Sequence, residues 1–105
     1  MRVIVAKPEE PQEVRNFSGD LASLQACAGC TLEQFAREGH VVFWANSENR
    51  TNGMEFNRSV RVSDGTLYGV FGPLILTGVG ETDAFESLTD EDLARWVPRL
   101  RRPYT

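Results

Sequence analysis

The sequence of residues 41–58 is VVFWANSENRTNGMEFNR, an apolar start followed by a polar, asparagine-rich remainder. The run 41–44 has the β-branched and aromatic residues that are typical of a strand. Asn52-Gly53 is the dipeptide that most favours a tight type I′ turn, so the pattern predicts a β-hairpin over residues 41–58. Positions two apart on a strand share a face, and the returning strand would therefore bring polar side chains together at one end of the hairpin.

Four of these polar residues form the candidate ligand-binding site: Asn46, Glu48, Asn57 and Arg58. Arginine binds a carboxylate or phosphate through two parallel hydrogen bonds, and a nearby glutamate can act as a base or as an ion-pair partner. The alternative is structural: the asparagines cap turns, and Arg58 pairs with Glu48 or Glu33 to hold the hairpin. No catalytic or metal motif is complete, so the sequence predicts no catalytic residue, no metal and no cofactor.

The two cysteines and the histidine of the chain are further candidates for a redox, metal-binding or catalytic role. Cys27 and Cys30 have the spacing of redox pairs and of half a zinc site. They lie at the carboxyl end of a predicted helix, where the dipole opposes thiolate formation, and zinc needs four ligands. Packed free thiols are the favoured interpretation, with a disulfide or redox pair as the first alternative and a metal site as the second. His40 follows a predicted turn, and we expect it at the surface without a catalytic role.

The length and composition of the chain predict a single globular domain, residues 1–105. Its 41% hydrophobic and 25% charged residues are typical of such domains. No apolar run approaches the length that spans a bilayer, and the short apolar stretch at the amino terminus is too short for a signal peptide. The expected compartment is therefore the cytosol.

A net charge of -4 disfavours binding to nucleic acid, because binding to phosphate backbones needs a basic surface.

The first third of the chain predicts two strands and a helix. Residues 3–6 form a short β-branched run, and 14–17 is a second extended segment. A helix is expected from Ser18, its N-cap, to Ala28, because apolar residues there recur at helical spacing. Gly29 would end it.

Residues 31–39 support two interpretations. Thr31 with Gln34 makes a capping-box pattern and Gly39 would end a helix, so local rules alone predict a short helix. An extended interpretation, with a turn at Gly39 leading into Val41, has only weak support because the apolar residues do not alternate cleanly.

The last third of the chain predicts a turn, a long strand and a helix. Residues 63–65 form the turn, and residues 67–79 read as one strand through the core that bends at Gly72-Pro73. Thr89 is the expected N-cap of a helix that ends at about Pro98. These elements together predict an α+β fold, with a mostly antiparallel, curled β-sheet packed by two helices.

Further residues match a known pattern in order and spacing. They are Asn46, Glu48, Gly53, Asn57-Arg58, Gly72-Pro73-Leu74-Ile75-Leu76 and Ser87-Leu88-Thr89-Asp90-Glu91, with Gly29 and Leu32-Glu33 earlier in the chain. The chain thereby resembles a family of small bacterial, phage and plasmid proteins, the domain of unknown function family 3846. The family usually has adjacent Asn and Glu at the first motif, whereas Ser47 separates them here, and Cys27 and Cys30 do not match it. The resemblance favours a strand over residues 31–37 and implies no established reaction.

The favoured function is a non-catalytic binding or accessory domain of bacterial or mobile-element origin. Its expected partner is another protein or a second copy, reached through a sheet edge or an exposed aromatic. Phe43 and Trp44 alternate across a strand, so one of them is expected to face outward. The alternative function is a small-molecule-binding protein or small enzyme that acts on an anionic ligand through Arg58.

Overall fold

The structure is a computed structural model that describes residues 1–17, 24, 26, 32–46, 56–80 and 85–100. The strands and the helix with defined bounds in these residues are β1 (Arg2–Ala6), β2 (Glu13–Asn16), β3 (Leu32–Glu38), β4 (Val41–Asn46), β5 (Phe56–Arg61), β6 (Leu67–Phe71), β7 (Leu74–Val79), β8 (Phe85–Glu86) and α1 (Asp90–Arg99). All strand pairs are antiparallel. The predicted strands near residues 3–6 and 14–17 are thereby confirmed as β1 and β2.

Six strands form the larger sheet, in the order β2-β1-β7-β4-β3, with β8 paired to one end of β7. The central strand β7 is buried along its whole length, which explains its nearly continuous apolar sequence. Its one polar side chain, Thr77, accepts a hydrogen bond from Nε1 of Trp44 at 3.0 Å. The strands β5 and β6 form a separate two-stranded sheet.

The larger sheet has apolar side chains on both faces. On one face it packs against α1 and the β5–β6 sheet, and Phe43 of β4 meets Trp96 of α1 edge to face, with ring centroids 4.9 Å apart. The other face carries a smaller cluster in which Leu24 is buried and Trp44 is half-buried. Neither Phe43 nor Trp44 is therefore the exposed aromatic that alternation predicted, because Phe43 packs on Trp96 and Trp44 packs edge to face on Phe85.

The hairpin predicted over residues 41–58 is wrong. Strand β4 has β3 on one edge and β7 on the other, so both rows of its backbone hydrogen-bonding groups are used. Strand β5 pairs instead with β6 in the second sheet. Asn52-Gly53 lies outside the described residues.

Residues 32–38 form the edge strand β3, so the short helix predicted from local rules is wrong. A β-bulge between Gln34 and Ala36 explains the misleading pattern. Before the bulge, Leu32 contributes to the smaller cluster, and after the shift Phe35 and Ala36 pack against the larger one. One extra residue therefore breaks the strict alternation that marks a strand.

The predicted bend at Gly72-Pro73 is confirmed, but residues 67–79 are two strands rather than one. Gly72 has a φ of +79°, a conformation that glycine adopts without strain. There the chain leaves β6 of the small sheet and enters β7 at the centre of the large one. Buried residues of both sheets pack together in the main core.

The helix α1 begins as predicted. Thr89 and Asp92 form a reciprocal capping box, and Leu88 is buried just before it. The helix includes Pro98 and ends at Arg99, one residue beyond the predicted end at about Pro98. Pro98 has no N–H to donate to the carbonyl of Ala94, four positions earlier in the helix. Ala94 is exposed, so water can hydrogen-bond to that carbonyl.

In the described residues the fold is a mostly antiparallel sheet with one helix of defined bounds, which covers the predicted fold class only in part. The helix predicted over residues 18–28 lies outside the described residues, apart from Leu24 and Ala26, which are helical. The described residues contain no helix of the length and apolar character that a bilayer crossing requires.

Candidate functional site

Asn57 and Arg58 are neighbours on β5, yet both side chains are buried. Successive residues of a regular strand face opposite sides, so this requires a local irregularity. The β5–β6 pairing supplies it, because Phe56 pairs with Phe71 and Arg58 pairs with Val70, which leaves Asn57 as an extra residue in a bulge. The bulge turns both polar side chains into the protein.

The guanidinium of Arg58 is fully buried and surrounded by oxygen acceptors. Its Nη2 donates to the carbonyls of Lys7 at 3.2 Å and Glu10 at 2.6 Å, both in the loop between β1 and β2. Its Nη1 donates to the carbonyl of Leu100, and to Oε1 of Gln12 at 3.3 Å. With Nε bound to Asn57, these bonds match the five N–H groups of a guanidinium.

Asn57 completes the network. Its Nδ2 donates to the carbonyls of Ala6 and Gly72, each at 2.8 Å, and its Oδ1 accepts from Nε of Arg58 at 2.7 Å. Ala6 ends β1 and Gly72 precedes β7. The two side chains together therefore hold four segments in place: the end of β1, the following loop, the turn before β7 and the end of α1.

The carboxyl end of α1 receives the positive charge of Arg58. Leu100 is the C-cap residue, and its carbonyl accepts from Arg58, while the carbonyl of Val97 accepts from Gln12. A helix end that exposes carbonyls carries a partial negative charge, which a buried cation complements. This contact gives the Arg58 charge a partner inside the protein and explains how it is accommodated there.

The other two residues of the candidate site are less closely described. Asn46 is buried at the end of β4, opposite Leu32 of β3. Glu48 lies outside the described residues, and Glu33, the other acid considered for Arg58, is exposed on β3. Ligand binding by Asn46, Glu48, Asn57 and Arg58 stays a prediction. The contacts of Arg58 with backbone carbonyls favour a structural role, but they join segments outside the predicted hairpin.

His40 is part of a second polar cluster. Its Nε2 lies 2.6 Å from Oδ2 of Asp92, and its Nδ1 lies 3.6 Å from Oε1 of Glu86. The imidazole thus connects the turn between β3 and β4 with β8 and with the first turn of α1. Two carboxylates flank the ring, which leaves neither nitrogen facing a hydroxyl or thiol among the described contacts. This cluster was not predicted from the sequence, because 52 positions separate His40 from Asp92.

The carboxylate of Asp92 has two roles, in the capping box and in the contact with His40. Partial burial raises its pKa, but hydrogen bonds from the backbone N–H and the side chain of Thr89, together with His40, outweigh burial and hold the pKa below its usual value. A carboxyl whose pKa is lowered by folding stabilises the fold in its ionised form. That contribution is present above pH of about 4 and is lost as the pH falls through the folded-state pKa.

Replacing Asp92 by Asn should therefore change both stability and its dependence on pH. At pH 7 we expect the free energy of unfolding of the variant to be about 1 kcal/mol lower than that of the wild type, the usual effect of a weakened cap. The difference in free energy of unfolding between the two proteins should become smaller as the pH is lowered from 5 to about 2. Over this range the Asp92 carboxyl of the wild type becomes protonated and its stabilising contribution is lost. Urea denaturation across this range measures it, with Glu91→Gln in the same helical turn as the control. A difference that stays constant with pH would contradict this role.

Metal and thiol chemistry have no described site. Within residues 1–17, 32–46, 56–80 and 85–100, no group of three or more His, Cys, Asp or Glu residues is arranged to hold a metal ion. Cys27 and Cys30 lie outside the described residues, so their interpretation stays a prediction.

Comparisons with known proteins place the chain in a family without giving it an activity. No curated protein and no solved structure matches it significantly. The family model described as Domain of unknown function (DUF3846) matches residues 1–101, which is nearly the whole chain. The resemblance inferred from the residues is confirmed, and the chain belongs to the DUF3846 family.

Proposed function

We propose that the chain is a non-catalytic binding domain that holds a short apolar segment of a protein partner on the outer face of its two-stranded sheet. The outer face consists of the residues that alternate with the buried ones on β5 and β6: Phe56, Ser59, Arg61, Leu67, Gly69 and Phe71. The observation that carries the proposal is the exposure of two large apolar side chains there, 43% for Phe56 and 55% for Leu67.

The aromatic pair on the outer face is held in a defined arrangement. Phe56 and Phe71 are cross-strand neighbours, and their ring centroids lie 5.2 Å apart with the rings inclined at 72°. This edge-to-face contact fixes the ring of Phe56 while much of its surface stays in water. A side chain already fixed in one conformation loses little entropy on binding, which favours a role in recognition.

The size of the outer face favours a short segment over a second copy. Two paired strands of about six residues present a face of roughly 20 by 10 Å. A stable dimer buries about 800 Å² on each partner, several times that area. An extended peptide with alternate apolar side chains matches the dimensions, since its own side chains would meet Phe56 and Leu67 at strand spacing.

Support for a non-catalytic role comes from the internal contacts of the residues best suited to chemistry. Arg58 and Asn57 hold segments of the fold together, and His40 lies between two carboxylates. The bacterial or mobile-element source and the cytosolic location stay predictions.

Selection of peptides from a displayed random library tests the proposal. Peptides enriched on the wild type should be apolar at alternate positions, and the double variant Phe56→Ser, Leu67→Ser should bind them at least about tenfold more weakly, or about 1.4 kcal/mol. Val14→Ser is the matched control, because Val14 is 44% exposed but lies on β2 of the other sheet.

Two results would overturn the proposal. In the first, peptides enriched on the wild type bind the double variant equally well. In the second, light scattering shows a dimer that Phe56→Ser abolishes, which would mean that a second copy occupies the outer face.

A further inference from the structure

A cleft lies beside the carboxyl end of α1, lined by Arg61 of β5, Val62 after it, and Arg99 of α1. Its volume is about 370 Å³, which falls within the range of small-molecule sites. Val62 is buried and contributes an apolar wall, whereas both arginines are exposed. The cleft adjoins one end of the outer face defined above, because Arg61 is the cross-strand partner of Leu67.

Neither arginine of the cleft has a carboxylate partner in the described part of the chain. Arg61 donates from Nη1 to the carbonyl of Gly65 at 3.3 Å, and the guanidinium carbon of Arg99 lies 5.4 Å from the centroid of the Trp96 ring. By contrast, Arg2, Arg15 and Arg95 each lie within ion-pair distance of an acid. The chain has 15 acidic residues against 11 basic ones, so unpaired arginines are not explained by a shortage of acids.

The helix dipole alone does not account for Arg99. A basic residue in the last turn commonly complements the free carbonyls of a helix end. Here the carbonyls of Val97 and Leu100 already accept from Gln12 and Arg58. Arg99 instead lies over the Trp96 ring, where its N–H groups stay available to a ligand.

We propose that the cleft binds the oxyanion group, phosphate or carboxylate, of a small molecule. Guanidinium groups bind such oxygens through paired N–H donors, and Arg61 and Arg99 supply two of them from different elements. The buried charge of Arg58 offsets the negative helix end that would otherwise repel an anion at this position. A small molecule is favoured over nucleic acid because the net charge of -4 opposes a polyanion.

Amide NMR titrations with inorganic phosphate, a nucleoside monophosphate and citrate test this inference. At least one of these anions should give saturable shifts at Arg61, Val62 and Arg99, and comparison among the three distinguishes phosphate from carboxylate recognition. The variants Arg61→Gln and Arg99→Gln, alone and combined, should weaken binding by about tenfold or more. Arg37→Gln is the control, because Arg37 is exposed and donates to the carbonyl of Gly39 in a distant turn.

Arg61→Lys and Arg99→Lys provide a second measurement that does not depend on the folding of the glutamine variants. Each keeps the charge but loses the paired donors, so affinity should fall to an intermediate value. The inference is overturned if none of the three anions gives saturable shifts. It is also overturned if the glutamine variants bind like wild type, or if a single-stranded oligonucleotide binds more tightly than all three.

Discussion

Replacing Arg58 by Met should lower the free energy of unfolding by about 3–5 kcal/mol, the usual effect of removing one member of a buried charged network. Methionine keeps much of the side-chain volume but has no N–H donor, so the carbonyls of Lys7, Glu10 and Leu100 lose their partner. A domain of this kind has about 5–15 kcal/mol in total, so the loss is a large share. Urea denaturation followed by circular dichroism measures it.

Arg61→Met is the matched control for Arg58→Met. Arg61 lies on the same strand but is exposed, so its replacement should change stability by no more than about 0.5 kcal/mol. Arg58→Lys should fall between the two, because an ammonium supplies fewer donors in a more compact group. If Arg58→Met unfolds at the same urea concentration as Arg61→Met, Arg58 does not hold the four segments together.

Replacing Trp96 by Ala should lower the free energy of unfolding by about 3–5 kcal/mol, as expected for a large aromatic removed from a core. Trp96 is the largest fully buried side chain described, and it packs edge to face on Phe43 at the contact between α1 and the larger sheet. The variant loses this aromatic contact and leaves a cavity between the two layers.

Urea denaturation monitored by far-ultraviolet circular dichroism is the suitable measurement for Trp96→Ala, and the fluorescence of Trp44 on the opposite face is a second probe. Leu67→Ala is the control, because Leu67 is more than half exposed. A loss of less than about 1 kcal/mol in Trp96→Ala would show that α1 is not packed as described.

The start of α1 and the turn at residues 63–65 were predicted correctly, because residues close together in the sequence determine them. The capping residues Thr89 and Asp92 lie within four positions of each other. The turn at residues 63–65 has a local bond from the N–H of Thr66 to Oδ1 of Asp64 and a glycine with positive φ. These elements form for reasons that are visible in a short window of sequence.

Strand pairing could not be predicted in the same way. Asn52-Gly53 favours a hairpin between neighbouring strands, but β4 finds better partners in β3 and β7, the second of which begins 28 positions after β4 ends. The choice depends on which apolar faces pack together across the whole chain, a tertiary effect that overrides local turn preference. The bulge in β3 had the same consequence, because it made a strand resemble a helix.

The candidate site was chosen from the sequence by its residue types. The positions and contacts of its side chains could be known only from the folded structure. Asn57 and Arg58 are polar residues in an otherwise strand-forming segment, and the structure buries both side chains. Their acceptors are backbone carbonyls at Ala6, Gly72 and Leu100, which leave no signature in the sequence because every residue has a carbonyl. The contact between His40 and Asp92 has no local signature either, because 52 positions separate the two residues.

The most direct test of the buried Arg58 network is hydrogen exchange of the guanidinium Nε–H, observed by NMR in deuterated water. This group is buried and bound to Oδ1 of Asn57 at 2.7 Å, so we expect it to exchange far more slowly than the same group of Arg61 or Arg99. Slow exchange that Asn57→Ala abolishes would support the network. Exchange as fast as that of the exposed arginines, or a shift on addition of phosphate while Arg61 and Arg99 stay unchanged, would contradict it and return Arg58 to the ligand site.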